Sequence, residues 1–208
     1  MNEEQRAEVE RAVRAQCEKA EFAAAIDEAI RGYGPEIFGF LIATHANEAD
    51  ASDVFSDVCL ALVRSLPEFS WQSSLRTWMY AVARNASHRF RRDASRRVGS
   101  RGRVGESALE DVANKVRTAT IGFLRTQTRT KLEQLRDALA PEERELIVMR
   151  IDRGLSWDEI ALAFHDDDTP SDAAAITRES QRLRKRFQLV KERLREMAKD
   201  AGLGSSAD

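Results

Sequence analysis

Residues 140–164, APEERELIVMRIDRGLSWDEIALAF, decide how this chain is read. Proline tolerates the first helical position, so Pro141 opens a helix, here over Pro141–Arg153 with Leu146, Ile147, Met149, Arg150 and Ile151; Gly154 ends it. Ser156-Trp157-Asp158-Glu159 has the spacing of a capping box, in which the serine hydroxyl accepts an orphan N–H and the glutamate reaches back to the cap. A short helix comes after it, with Ile160, Ala161 and Phe164 facing inward. A polar turn, His165–Asp172, comes next, and either Thr169 with Pro170 or Asp172 can cap the last helix. In that helix Ile176, Leu183, Phe187, Val190 and Leu194 are spaced 7, 4, 3 and 4 residues apart, one apolar stripe that must pack on the two preceding helices. Its opposite face carries Thr177, Arg178, Gln181, Arg182, Arg184 and Lys185. A short capped helix followed by a longer basic one is the layout of a helix-turn-helix, whose second helix enters the major groove. The segment from about Leu135 to Met197 is therefore expected to bind DNA.

Moving towards the N-terminus, only helical patterns appear, and no sustained alternation rich in Val, Ile and Thr, so no sheet is expected. An acidic helix is expected over Glu3–Ile30, breaking near Ala20 and ended by Gly32–Gly34 with Pro35. Glu36–Asn47 is a core segment with Ile37, Phe38, Phe40, Leu41 and Ile42. A helix over Glu48–Ser65 carries Val54, Val58, Leu62 and Leu66 on one stripe, and Pro67 comes just after it. The loop Glu68–Ser74 holds Phe69 and Trp71, and Leu75–Asp93 forms a long helix with Trp78, Met79, Val82 and Phe90 on its apolar side. Ser95–Gly105, rich in Arg, Gly and Ser, reads as a flexible linker, and Glu106–Gln127 as a segment with a possible short helix. The expected architecture is all-α. It comprises an acidic N-terminal helical extension (1–20), a helical domain (21–94), a linker (95–127), a helix-turn-helix domain (128–200) and a disordered tail (201–208).

The net charge of −2 conceals a sorted distribution. Residues 1–57 hold thirteen acids and five bases, residues 84–103 eight arginines and one acid, and residues 176–195 eight bases and two glutamates. Two separated basic blocks suit two contacts with one polyanion. The first block adjoins Phe69, Trp71, Gln72 and Trp78, and aromatic rings beside arginines suit single-stranded or opened DNA. Cys17, Cys59, His45, His88 and His165 show no metal-ligand spacing, and Cys59 on an apolar face reads as core. No phosphate loop or nucleophile elbow is present, so no catalytic residue, metal or cofactor is expected. No apolar run approaches a membrane span, and the polar, acidic N-terminus does not resemble a secretory signal, which points to the cytoplasm.

DASDVFSDVCLALVRSLPEF from Asp50, followed by SSLRTWMYAVARN from Ser73, resembles the second conserved region of bacterial sigma factors of the extracytoplasmic-function (ECF) group. LRDALAPEERELIVMRIDRGLSWDEIA from Leu135, with the basic helix after it, resembles the fourth. The resemblance implies a transcription initiation factor, not an enzyme, that binds the RNA polymerase core through the β′ coiled coil and the β flap, recognises promoter DNA and helps open the duplex. Its matching positions imply polymerase contacts at Asp50, Asp53, Ser56, Asp57, Leu60 and Arg64. The −10 element would be read by Phe69, Trp71, Gln72, Ser73, Arg76, Thr77, Trp78, Arg84, Asn85, His88, Arg89, Arg91 and Arg92, with one base flipped into a loop pocket. The −35 element would be read by Thr177, Arg178, Gln181, Arg182, Arg184 and Lys185. Ser56 stands where the family usually has glutamine, and the turn at 165–172 is longer and more acidic than the family's. An anti-sigma factor is the implied regulatory partner; the acidic N-terminal segment is a second candidate for masking a basic face. The other readings are a conventional dimeric helix-turn-helix regulator and an RNA-binding adaptor. The first of these would bind duplex tightly on its own; the second would prefer RNA.

Overall fold

The computed structural model describes residues 1–45, 47–93, 108–125, 131–165 and 172–202. All regular structure among them is helical, as the patterning requires, and the chain divides into two compact units, Met1–Arg125 and Thr126–Asp208.

In the first unit, helix α1 (Glu3–Glu18) starts in a capping box between Asn2 and Gln5. It ends at Glu18 with Lys19 as its cap, and Ala20, just beyond, adopts a left-handed backbone with φ 59° at the expected break. Helix α2 (Phe22–His45) corrects the sequence reading: it runs straight through Gly32, Gly34 and Pro35 instead of ending there. Proline inside a helix costs about 3 kcal/mol through the lost N–H bond and the clash with the preceding turn. Here Pro35 lies on the exposed side, while Ile30, Tyr33, Ile37, Phe38, Phe40 and Leu41 are fully buried, so burial outweighs the local penalty. The glycines are packing devices. A Cβ on Gly32 would lie 2.8 Å from Val9 of α1. One on Gly34 would lie 3.1 Å from Val116 of helix α5 (Ala108–Arg125).

Helix α3 (Glu48–Ser65), capped by Asn47, buries the expected Val54, Val58 and Leu62, and Leu66 follows them inward. Phe55 meets Phe38 at 5.1 Å between ring centroids. A short 3-10 turn at Leu66–Glu68 leads to the loop before helix α4 (Leu75–Asp93). Helix α5 is a second correction. Its eighteen residues lie where a linker with a possible short helix was expected, and they pack on α2 and α3 through Val112, Ala113 and Val116. Its buried stripe of Val112, Ala113, Val116 and Thr120 includes one small and one polar member, while Lys115 and Thr118 lie on the exposed side. The expected linker residues 95–105 lie outside the described residues.

In the second unit, helices α6 (Lys131–Arg136) and α7 (Pro141–Ile147) precede a π-helical turn at Val148–Asp152, so the helix begun at Pro141 ends with Arg153 N–H bonded to the Val148 carbonyl at 3.0 Å. Gly154, with φ 66°, ends it as read. Helix α8 (Trp157–Phe164) carries the capping box as read: Glu159 N–H to Ser156 Oγ is 3.2 Å and Ser156 N–H to Glu159 Oε2 is 2.7 Å. Ile160 and Ala161 are buried, whereas Phe164 is half-buried. Helix α9 (Ala173–Asp200) is capped by Asp172, which accepts the Ala175 N–H at 2.5 Å; Thr169 and Pro170 lie outside the described residues. Leu183, Phe187, Val190 and Leu194 are buried, and Ile176 is half-buried. The stripe's missing member is Ser180, buried at the position where an apolar residue would stand; its hydroxyl lies 2.6 Å from Asp158 Oδ1 and 3.2 Å from the Trp157 carbonyl. Of the disordered tail expected over 201–208, Ala201 and Gly202 form a turn and residues 203–208 lie outside the described residues.

Candidate polymerase and nucleic-acid interfaces

On α3, Asp53, Asp57, Leu60 and Arg64 succeed one another at spacings of four, three and four, which puts them on one face. Asp53 and Arg64 are exposed, and Asp50, Ser56, Asp57 and Leu60 are half-buried. Ser56 is engaged within the chain: Arg117 of α5 donates to its Oγ at 2.8 Å and approaches the Ser52 carbonyl at 3.5 Å. One turn further on, Cys59 is buried, and burial pushes its thiol up to about 12 against the pull of Arg117, so it stays a protonated core residue.

The loop between α3 and α4 stacks three rings. Phe69 lies 4.6 Å from Trp78 in a stacked pair and 4.8 Å from Trp71, with all three rings half-buried. Trp71 has φ 58°, a left-handed backbone that costs about 1–3 kcal/mol in a residue with a Cβ, and such strain persists only where the surroundings hold it. Two groups hold the corner between this loop and α4. Ser74 Oγ accepts the Thr77 N–H at 3.0 Å. Glu10, from α1, accepts the Leu75 N–H at 2.9 Å and the Arg76 N–H at 3.1 Å, so a carboxylate satisfies the first donors of α4. Tyr33 donates to the same Glu10 at 3.1 Å; burial and that neighbouring carboxylate raise the Tyr33 phenol.

Three of the residues expected to face DNA point inward instead. Arg76 is buried, donates from Nε to Glu36 Oε1 at 2.8 Å, pairs with the same carboxylate through Nη2, and lies over the Tyr80 ring. Tyr80 also donates to Glu36, at 2.8 Å. Thr77 and Arg84 are buried too. For Arg76 the reason is its place on the helix: positions 76 and 80 lie one turn apart and face α2, where the half-buried Glu36 accepts from both side chains. Gln72, Arg89 and Arg92 are exposed, and Ser73, Asn85, His88 and Arg91 are half-buried. His45, at the end of α2, lies 3.0 Å from Ser87 and edge-on to Phe90.

On α9 the expected face is open: Thr177, Arg178, Gln181, Arg182, Arg184 and Lys185 are all exposed. Arg182 pairs along the helix surface with Glu179, at a loose 3.4 Å. Trp157, the first residue of α8, lies under both Arg150 and Arg184, at 4.9 and 5.8 Å from the ring centroid, and meets Phe187 edge-on. Sequence reasoning missed Glu10, Arg14, Glu36 and Trp157 as parts of these sites. Only Trp157 carried a signal, as an aromatic inside a capping box.

Residues 29–97, about a third of the chain, match the family model for sigma-70 region 2. The chain carries a sigma-70 region 2 domain. The match spans most of α2, all of α3, the aromatic loop and α4. It includes neither α1 nor α5, although both pack on α2. No curated protein and no solved structure matches the chain significantly. No described helix is long and apolar enough to cross a membrane.

Proposed function

We propose that this protein is a sigma factor of the ECF group, which binds the RNA polymerase core, recognises −10 and −35 promoter elements and helps open the duplex. The observation that carries the reading is the region 2 match lying over a helix with an acidic outer face, an aromatic loop and a basic helix in consecutive order. The α3 face with Asp53, Asp57, Leu60 and Arg64 is the core-binding surface, and its acids complement a basic partner helix. Phe69, Trp71 and Trp78 offer ring faces on which unstacked bases rest, with Gln72 and Ser73 beside them for base edges and Arg89, Arg91 and Arg92 for phosphates. Arg76, Thr77 and Arg84 shape this reader from within. The exposed face of α9 reads the −35 duplex, where arginine suits guanine edges and glutamine suits adenine. An anti-sigma factor is the regulatory partner this reading implies, and the cytoplasm its compartment.

Run-off transcription with purified core polymerase on a genomic template pool tests this. Defined start sites that depend on the protein are expected. If none appear and the chain also fails to co-purify with core, the reading is lost. Tight sequence-specific duplex binding by the protein alone would favour a conventional dimeric regulator.

A further inference from the structure

Helix α1 lies outside the region 2 match, yet it meets the strand-reading loop at two points. Glu10 is half-buried and takes three donors: two backbone N–H groups at the start of α4 and the Tyr33 hydroxyl. Both of its oxygens are thus engaged within the fold. One turn along the same face, Arg14 places its guanidinium 5.5 Å from the centroid of the Trp71 ring. Trp71 contacts Phe69, and Phe69 stacks on Trp78, so a cation and three rings form one continuous strip across α1, the loop and α4. Arg14 is exposed, and its pairing with Glu18 at 3.4 Å involves two side chains that are 61% and 69% accessible, a contact worth little and easily exchanged for another anion. A guanidinium at the end of an aromatic strip is the pairing that single-stranded nucleic acid uses: bases stack on rings while the cation holds the adjoining phosphate.

We infer that α1 is a working part of the single-strand reader, with Arg14 as a phosphate contact beside the Trp71 ring and Glu10 as the residue that positions the loop. This rests on the sigma-factor reading above and adds a binding residue to it. It also replaces the expectation that the acidic N-terminal segment masks a basic face.

The test uses the full chain and a fluorescein-labelled, mixed-sequence single-stranded DNA 12-mer, followed by anisotropy from about 50 to 200 mM salt, the range over which counterion release is measured. Arg14→Ala is expected to weaken binding roughly fivefold and to lower the slope of log K against log salt by about 0.7, the single-strand value for one phosphate. Arg14→Lys should keep the slope. Trp71→Ala combined with Arg14→Ala should lose less than the sum of the two, because the residues act at one place. An unchanged slope in Arg14→Ala, or additive losses in the double variant, would overturn the inference. Run-off transcription by the unmodified protein separates the two claims: defined starts with an unaffected Arg14→Ala slope leave the sigma reading standing and remove only the role of α1.

Discussion

Helices α4 and α9 are both basic, both amphipathic and both expected to read DNA, yet they spend their arginines differently. In α4, Arg76 and Arg84 are buried, and Arg76 is committed to Glu36 and the Tyr80 ring. In α9 every expected contact residue is exposed. The difference arises from how many sides of each helix are covered. Helix α4 packs against both α2 and α3, and α1 reaches its first turn through Glu10, so a wide arc of α4 faces protein and an arginine on that arc must find a carboxylate. Helix α9 buries a single stripe against α6, α7 and α8, and the rest of its circumference carries charge outward. A run of arginines is therefore not by itself a measure of binding surface.

The sharpest way to break this contrast is to remove the α4 counter-ion. Glu36→Ala leaves a guanidinium buried without its carboxylate and should destabilise the first unit by about 3–5 kcal/mol. Calorimetry of the full chain measures it, and a loss under about 1 kcal/mol would mean that Arg76 is not structurally committed. Arg182→Ala on α9 should do the reverse. Stability should hold within about 0.5 kcal/mol, while holoenzyme discrimination among −35 variants falls by about 1–3 kcal/mol. An equal loss on every −35 sequence would make Arg182 a phosphate contact. Reversing the α3 acids with Asp53→Lys and Asp57→Lys should weaken core binding by roughly tenfold, chiefly through association and most visibly at low salt. Unchanged affinity in a pull-down titration with core would move the interface elsewhere.

The smallest effect is alkaline. Burial pushes the Cys59 thiol from an ordinary 9.0 up to about 12 in the folded protein, and it raises the Tyr33 phenol above 10.0 and the Cys17 thiol above 9.0. The folded state therefore holds protons that the unfolded chain releases. That stability is fully present below pH 9 and is lost as pH rises through the folded-state values. Both cysteines and both tyrosines lie in the first unit, so the second should show no such slope from these groups. Cys59→Ala should flatten most of the loss between pH 9 and 10 in denaturant titrations of the full chain; a slope that persists would place its cause in another group.

The helices were legible wherever local chemistry is strong. The Ser156–Glu159 box, the α3 stripe of Val54, Val58 and Leu62, and the ends of α3 and α4 stand in the structure as the sequence reads. Gly32, Gly34 and Pro35 misled because glycine and proline are stop signals only when nothing packs on them. Here Val9 and Val116 fill the space that side chains would have taken, and the flanking core holds the helix through the proline. Helix α5 was faint because its buried face is completed by α2 and α3, far away in sequence. Ser180 escaped for a related reason: its burial depends on Asp158 and Trp157 accepting its hydroxyl.

The sequence by itself determined the all-helical class, the placement of the capped helices and the sorting of charge into basic blocks, because capping, periodicity and net charge act over a few residues. Only the tertiary structure decided which of those charges are available. Whether an arginine meets water, a glutamate or a ring depends on helices brought together from distant positions, and desolvation sets its role from there. Glu10 on Leu75 and Arg76, Glu36 on Arg76, Arg117 on Ser56 and Arg14 on Trp71 are all contacts of that kind. They join α1, α2, α3, α4 and α5 into one folded unit.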